Sequence, residues 1–144
     1  LKNIFEGKKE LFEGLYIYEK YDFKSYPVIK ISFSGDIFSK EDLKLTLFDL
    51  LKDNQKKFQI ECEHTIKASL CFKELIQKTY EKYNKKVVIL IDEYDKPILD
   101  NIEKPDTSYE LREELKAFYT QIKENDAYIQ FAFLTGVSKF ADRK

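Results

Sequence analysis

Apolar residues follow two different patterns along the chain. Three runs are rich in β-branched and aromatic residues, and each predicts a strand: Val28–Phe33, Val87–Ile91 and Tyr128–Leu134. The second run is apolar at every position, which is typical of a strand that is buried on both faces. Such strands occur mostly in parallel sheets covered by helices.

Between these runs, apolar residues recur at helical spacing. The pattern predicts four helices, over Leu1–Leu15, from Ser39 into the 50s, over Ser69–Tyr83, and from Thr107 to about Glu124. Two of them are predicted to begin at a capping box, formed by Ser39 with Asp42 and by Thr107 with Glu110. The loop between Pro97 and Pro105 is predicted to hold one short helical turn.

Alternating strands and helices predict the α/β class, with a parallel sheet of about three strands flanked by helices. The length of 144 residues is typical of a single domain. Lys and Arg number 25 against 26 Asp and Glu, which excludes a strongly basic nucleic-acid arm. The sequence has neither an apolar run of the ~18 residues needed to span a membrane nor a signal peptide. We therefore expect a cytoplasmic protein without a membrane partner.

The cysteines and the histidine give weaker indications. Cys62 and Cys71 could form a disulfide, but two reduced thiols fit a cytosolic protein better. His64 lies between acidic residues and is expected to be solvated rather than to act as a ligand or base.

The strongest chemical signal is the pair Asp92-Glu93, directly after the most apolar strand. Ligands bind at the carboxyl edge of parallel sheets. In nucleotide hydrolases of the Walker B type, an acid at this place holds hydrated Mg²⁺. The acid that follows can deprotonate the attacking water. Asp92 fits the first role and Glu93 the second, although acids also follow buried strands simply because the chain surfaces or caps a helix there.

Thr135 follows the third strand and could sense the γ-phosphate and position the water. A turn formed by Thr135-Gly136 at the strand end is the simpler alternative. Arg112 and Arg143 could act as arginine fingers, but surface charges explain both.

Four segments together carry a resemblance to a known family. The segment Leu90–Pro97, LIDEYDKP, looks like the signature of the bacterial AAA-ATPase-like family of P-loop proteins. Phe5–Leu15, Tyr26–Ile29 and Phe133–Phe140 are similar to further segments of that family, in the same order. The resemblance covers essentially the whole chain, and it implies a three-layer P-loop NTPase-like sandwich.

The resemblance also implies cofactors and a missing part. The family binds ATP and Mg²⁺ and carries a Walker A loop, G-x-x-x-x-G-K-[ST], which is not found in residues 1–144. We therefore expect a partial domain, with the Walker B and sensor regions but without the P-loop strand and the C-terminal part. Such a piece alone should be inactive. Nucleic acid would be a partner only through a linked nuclease-like domain of the PD-(D/E)XK type.

The family's sheet order makes the three strands neighbours and leaves the edge at Tyr128–Leu134 open. An open apolar edge predicts self-association. Two other functions stay open: a degenerate NTPase fold that binds protein or nucleic acid, and a metal-dependent nuclease. The nuclease would use Asp92, Glu93, Asp95 and Lys96, but consecutive strand residues point to opposite faces, which disfavours a shared metal.

Overall fold

The computed structural model describes residues 26–137 and confirms the α/β class. The elements follow in the order β1 (Val28–Ser32), α1 (Lys40–Phe58), α2 (Ala68–Tyr83), β2 (Val87–Asp92), α3 (Lys96–Leu99), α4 (Pro105–Glu124), a 3-10 helix (Asp126–Tyr128) and β3 (Ile129–Leu134). The helix predicted over Leu1–Leu15 and the residues from Ser138 onward lie outside the described part.

The three strands form one parallel sheet in the order β1-β2-β3. Ser32 pairs with Asp92 at the end of β1, and Ile91 pairs with Leu134 at the end of β3. The prediction that the three strands are neighbours is therefore confirmed. Because all three run in the same direction, their carboxyl ends meet at one edge of the sheet.

The main core lies between one face of the sheet and the long helices. Ile29, Ile31, Ile89 and Ile91 are fully buried on this face, where leucines of α1, α2 and α4 pack against them. In the helical layer the Phe72 and Phe118 rings stack with centroids 4.3 Å apart, which joins α2 to α4. Val88 and Leu90 alternate with the isoleucines and are also buried, as predicted for a strand covered on both faces.

The outer edge of β1 is covered by polar side chains of α1. Asn54 is 4% exposed, and its amide accepts from the Lys30 N–H at 3.1 Å and donates to the Lys30 carbonyl at 2.9 Å. Lys57 donates to the Val28 carbonyl at 2.9 Å. These contacts replace the strand that would otherwise pair with this edge, and such covering protects an edge from association.

One of the two predicted capping boxes forms in part. The Ser39 hydroxyl accepts from the Asp42 N–H at 3.0 Å, which confirms Ser39 as the N-cap, but Asp42 accepts from the Phe38 N–H at 3.3 Å instead of the Ser39 N–H. The prediction for Thr107 is wrong, because α4 begins at Pro105 with Lys104 as its N-cap. Proline is favoured in the first helical turn because its φ is already helical and it has no N–H to satisfy.

The predictions for the cysteines and for His64 agree with the described residues. Cys62 and Cys71 are free thiols, and the Cys62 thiol donates to the Cys71 carbonyl at 3.1 Å. His64 is exposed. Among residues 26–137 the helices are too short or too polar to cross a bilayer.

Candidate functional site

Asp92 is the last residue of β2 and lies at the edge where the three strands end. Its side chain is 45% exposed, so one part of the carboxylate faces solvent. Lys30, on the same face of the neighbouring strand, approaches Asp92 Oδ2 at 3.8 Å. The buried strand thus holds one partly exposed carboxylate beside a cation.

Glu93 has a backbone conformation that is unusual for its residue type. Its φ is +54°, in the left-handed region, where a side chain costs roughly 1–2 kcal/mol. Here β2 ends and the chain turns toward α3, with the Lys96 N–H donating to the Glu93 carbonyl at 3.0 Å. Strained backbone of this kind is enriched at functional sites.

Thr135, which directly follows the neighbouring strand β3, contacts both Asp92 and Glu93. Its hydroxyl donates to Asp92 Oδ1 at 3.1 Å and accepts from the Glu93 N–H at 3.3 Å. The Thr135 backbone is also fixed, because its N–H donates to the Ile91 carbonyl at 2.9 Å and its carbonyl accepts from the Tyr94 N–H at 2.9 Å. The structure therefore brings all three sequence-predicted site residues together.

The hydrogen bonds of Thr135 limit what its hydroxyl can do. A hydroxyl has one proton and two lone pairs. An ionised Asp92 can only accept, so the single proton of Thr135 points to Asp92, and the Glu93 N–H takes one lone pair. One lone pair remains, with which Thr135 could accept a hydrogen bond from water.

The donor set at this edge suits a cation that keeps most of its own water. Among residues 26–137, no three His, Cys, Asp or Glu side chains lie close enough together to hold a metal ion without other ligands. Mg²⁺ is usually held by one or two carboxylates, several waters and the phosphates of its nucleotide. Asp92, with its half-exposed carboxylate, fits that role through water.

Asp95 and Lys96 make other contacts. Asp95 Oδ1 accepts from the Val137 N–H at 3.1 Å. The Lys96 ammonium donates to Asp100 at 2.6 Å and to the Gly35 carbonyl at 2.7 Å. The ion pair between Lys96 and Asp100 orders this loop, whereas the Asp95 side chain makes no capping hydrogen bond to α3. Because Asp95 and Lys96 are engaged in these ways, the arrangement gives no support to a nuclease built on them.

Sequence reasoning missed Lys30 as a site residue. The available signal was that Lys30 is the single charged residue in a mostly apolar strand run. It lies two positions before Ser32, which pairs with Asp92. The candidate arginine Arg112 is exposed on α4. Arg143 lies outside the described residues.

A large cavity lies away from these residues. It measures about 960 Å³ and is lined by the end of α1 and the loop that follows, including Lys56, Gln59 and Cys62. Asp92, Glu93 and Thr135 do not line this cavity. The candidate site at the carboxyl edge is therefore identified by its side chains and their contacts, and not by the size of a cavity.

Comparison with known proteins identifies a family for this chain. A family model described as predicted AAA-ATPase matches residues 1–144. The chain is 38% identical over 143 residues to "Uncharacterized protein in vnfD 5'region" of Azotobacter chroococcum mcd 1. The match covers 98% of this chain and 28% of that protein, so the chain spans less than a third of its relative. No solved structure matches significantly. Matched over its whole length, the chain belongs to the family of predicted AAA-ATPases.

Proposed function

We propose that this chain supplies the metal-binding acid, the general base and the sensor residue of a domain that hydrolyses ATP. Family membership supports nucleotide chemistry in general terms. The observation that carries the proposal is the contact of the Thr135 hydroxyl with both the Asp92 carboxylate and the Glu93 N–H. This contact ties the end of β3 to the end of β2, where the substrate phosphates would be placed.

Asp92 is proposed to hold the water shell of Mg²⁺ on the nucleotide. The half-exposed carboxylate can accept hydrogen bonds from metal-bound water while Thr135 keeps Oδ1 oriented. When bound, the metal would neutralise charge that develops on the phosphates. Lys30, 3.8 Å from Oδ2, compensates the charge of Asp92 in this structure.

Glu93 is proposed to act as the general base. Its left-handed φ breaks the strand directly after Asp92, so its side chain does not follow the alternation of β2. A carboxylate can accept the proton of the attacking water if it lies within hydrogen-bond reach of that water. The free lone pair of Thr135 can accept the second hydrogen bond of the same water and so fix its orientation.

ATP hydrolysis would need further residues of the whole protein besides Asp92, Glu93 and Thr135. The phosphate cradle would come from outside residues 1–144, since these contain no Walker A match. Such a reaction would take place in the cytoplasm, where ATP is abundant. Any nucleic-acid partner would require a linked nuclease-like domain.

The test is Mg-ATP turnover by the whole gene product, measured for wild type and Glu93→Gln. Glutamine keeps the size of the side chain but cannot accept the proton, so we expect turnover to fall by about a hundredfold or more. Binding of Mg-ATP should stay within about threefold, since the base is not a phosphate ligand. Glu110→Gln, at an exposed position of α4, is the matched control and should behave as wild type.

Two results would contradict the proposal. Equal turnover in Glu93→Gln and wild type would remove Glu93 from the reaction. A wild-type protein that neither binds nor hydrolyses ATP would make Asp92 and Glu93 structural, and the fold would then be a binding module for another macromolecule.

A further inference from the structure

Asp95 is turned away from the helix that it precedes. It is the N-cap residue of α3, yet its side chain makes no hydrogen bond to that helix. Its Oδ1 accepts from the Val137 N–H at 3.1 Å instead. A Cβ added to Gly136 would lie 3.4 Å from Asp95 Oδ2, so the backbone after β3 passes directly against the carboxylate.

Asp95 contacts the chain just beyond the last residue pair between β2 and β3. The ladder between β2 and β3 ends with the pair Ile91 and Leu134. Beyond this pair, the Thr135 N–H donates to the Ile91 carbonyl, and the Thr135 carbonyl accepts from the Tyr94 N–H. The next backbone N–H with a described partner is that of Val137, which donates to Asp95. Because β2 has already turned away at Glu93, a side chain takes the place of the strand as the acceptor for Val137.

The loop that carries Asp95 is held in turn by α4. The Tyr119 hydroxyl donates to the Tyr94 carbonyl at 2.8 Å. Burial, together with the negative charge of Asp95, raises the pKa of Tyr119, so the phenol keeps its proton and remains a donor. The backbone from the Thr135 carbonyl to Val137 is thus fixed to a loop that is itself supported by α4.

We propose that Asp95 is a positioning residue for the reaction: its carboxylate holds the Thr135–Val137 segment so that the Thr135 hydroxyl stays between Asp92 and Glu93. Asp95 itself touches neither nucleotide nor water in this role. The inference rests on the proposed function, because it acts through Thr135. It is nevertheless carried by separate contacts, those with Val137 and Gly136.

The kinetic test compares Asp95→Ala, Asp95→Asn, Thr135→Ala and the double variant Asp95→Ala/Thr135→Ala in the whole gene product. Asp95→Ala should lower kcat about tenfold or more, with the KM for Mg-ATP within about threefold. Asp95→Asn should restore most of the rate, because its side-chain oxygen still accepts from Val137. The double variant should be no slower than the slower single variant, since both changes remove one effect.

Two kinetic results would overturn the positioning role. If Asp95→Asn is as slow as Asp95→Ala, the charge of Asp95 is needed, and a structural acceptor does not explain the residue. If the losses of the two single variants multiply in the double variant, Asp95 does not act through Thr135.

Amide hydrogen exchange separates this inference from the proposed function, because it needs no turnover. Exchange of the Val137 amide should be about tenfold faster in Asp95→Ala and close to wild type in Asp95→Asn. The control Asp106→Ala, at an exposed position in the first turn of α4, should leave that amide unchanged. Unchanged exchange in Asp95→Ala overturns the inference. Faster exchange in a protein without ATP turnover overturns the proposed function alone and leaves the positioning of the segment supported.

Discussion

The Thr135 hydroxyl donates to Asp92 Oδ1 at 3.1 Å across 43 positions of sequence. Each residue ends a strand or follows its end, and the two strands are parallel neighbours. The contact therefore exists because β2 and β3 finish at the same edge of the sheet. It gives the edge a defined arrangement in which one carboxylate oxygen is oriented and the other is left toward Lys30.

Replacing Thr135 by Val should separate catalysis from stability. Valine keeps the shape of the side chain but cannot donate to Asp92 or accept from the Glu93 N–H. We expect Mg-ATP turnover of the whole gene product to fall about tenfold to a hundredfold. The free energy of unfolding should change by less than about 1 kcal/mol, because Asp92 is half-exposed and water can reach the carboxylate that loses the hydroxyl. Steady-state kinetics and urea unfolding measure the two quantities.

Thr135→Ser is the matched control for this change. Serine keeps the hydroxyl, so turnover should stay within about threefold of wild type. A Val variant as active as wild type would show that the hydroxyl is a structural feature of the strand end.

Glycine at position 93 should stabilise the protein and inactivate it. The φ of Glu93 is +54°, which glycine adopts without strain. We expect the relief of this strain to exceed the cost of ordering the more flexible glycine backbone on folding. The free energy of unfolding should rise by about 0.5–1 kcal/mol, while ATP turnover is lost with the base. Chemical unfolding at pH 7 together with an ATPase assay checks both parts.

Gln59 offers a second site with the same backbone conformation and no place in the proposed reaction. It caps α1 with φ +56°, where its N–H donates to the Gln55 and Lys56 carbonyls. Gln59→Gly should therefore give a similar gain in stability with unchanged turnover. If Glu93→Gly destabilises while Gln59→Gly stabilises, the Glu93 side chain contributes to folding, and its strain is not the dominant effect.

Much of the fold follows from local patterns. The Val87–Ile91 run is apolar at every position, and this alone predicts the doubly buried strand that the structure shows. Its place between the other two strands was implied by the resemblance to the family. That Asp92 and Thr135 meet follows from a further rule, since parallel strands share one carboxyl edge. Association through the β3 edge stays a prediction.

The remaining features depend on contacts that local patterns do not encode. The left-handed turn at Glu93 arises where β2 must leave the sheet, and glutamate has no intrinsic preference for it. The ion pair of Lys30 with Asp92 depends on the register of β1 against β2. The start of α4 at Pro105 shows a favourable proline in the first turn prevailing over a capping box two residues later.

Asn54→Asp should be strongly destabilising. The Asn54 amide group donates to the Lys30 and Leu50 carbonyls at 2.9 and 2.8 Å. A carboxylate would place an oxygen against both carbonyls at a site that is 4% exposed. We expect the free energy of unfolding to fall by about 3 kcal/mol at pH 7, as measured by urea unfolding.

The control is Asp53→Asn, a change at the neighbouring exposed position, which should lower the free energy of unfolding by less than about 0.5 kcal/mol. A loss below about 1 kcal/mol for Asn54→Asp would show that the β1 edge does not depend on this side chain.

Glu74 should make stability depend on pH in the acid range. Burial alone would raise the pKa of Glu74, but hydrogen bonds from Lys78 and from the Glu63 and His64 amides outweigh it, and the pKa lies below its ordinary value of 4.5. A lowered pKa in the folded state means that the ionised form stabilises the fold above about 4.5, and that this contribution is lost as the pH falls through the folded pKa.

Glu74→Gln tests this dependence directly. The side chain is 13% exposed and its contact with Lys78 is 2.6 Å long, so the variant should lose about 1 kcal/mol of unfolding free energy at pH 7. Wild type and variant should converge as the pH falls below 4.5 and through the lowered pKa of Glu74, because protonation of the wild-type carboxylate removes its charge-dependent hydrogen bonds. Urea unfolding between pH 7 and pH 3 measures the difference, with the exposed Glu81→Gln on the same helix as control. A difference that stays constant over this range would mean that Glu74 stabilises the α1–α2 loop by shape alone, without its charge.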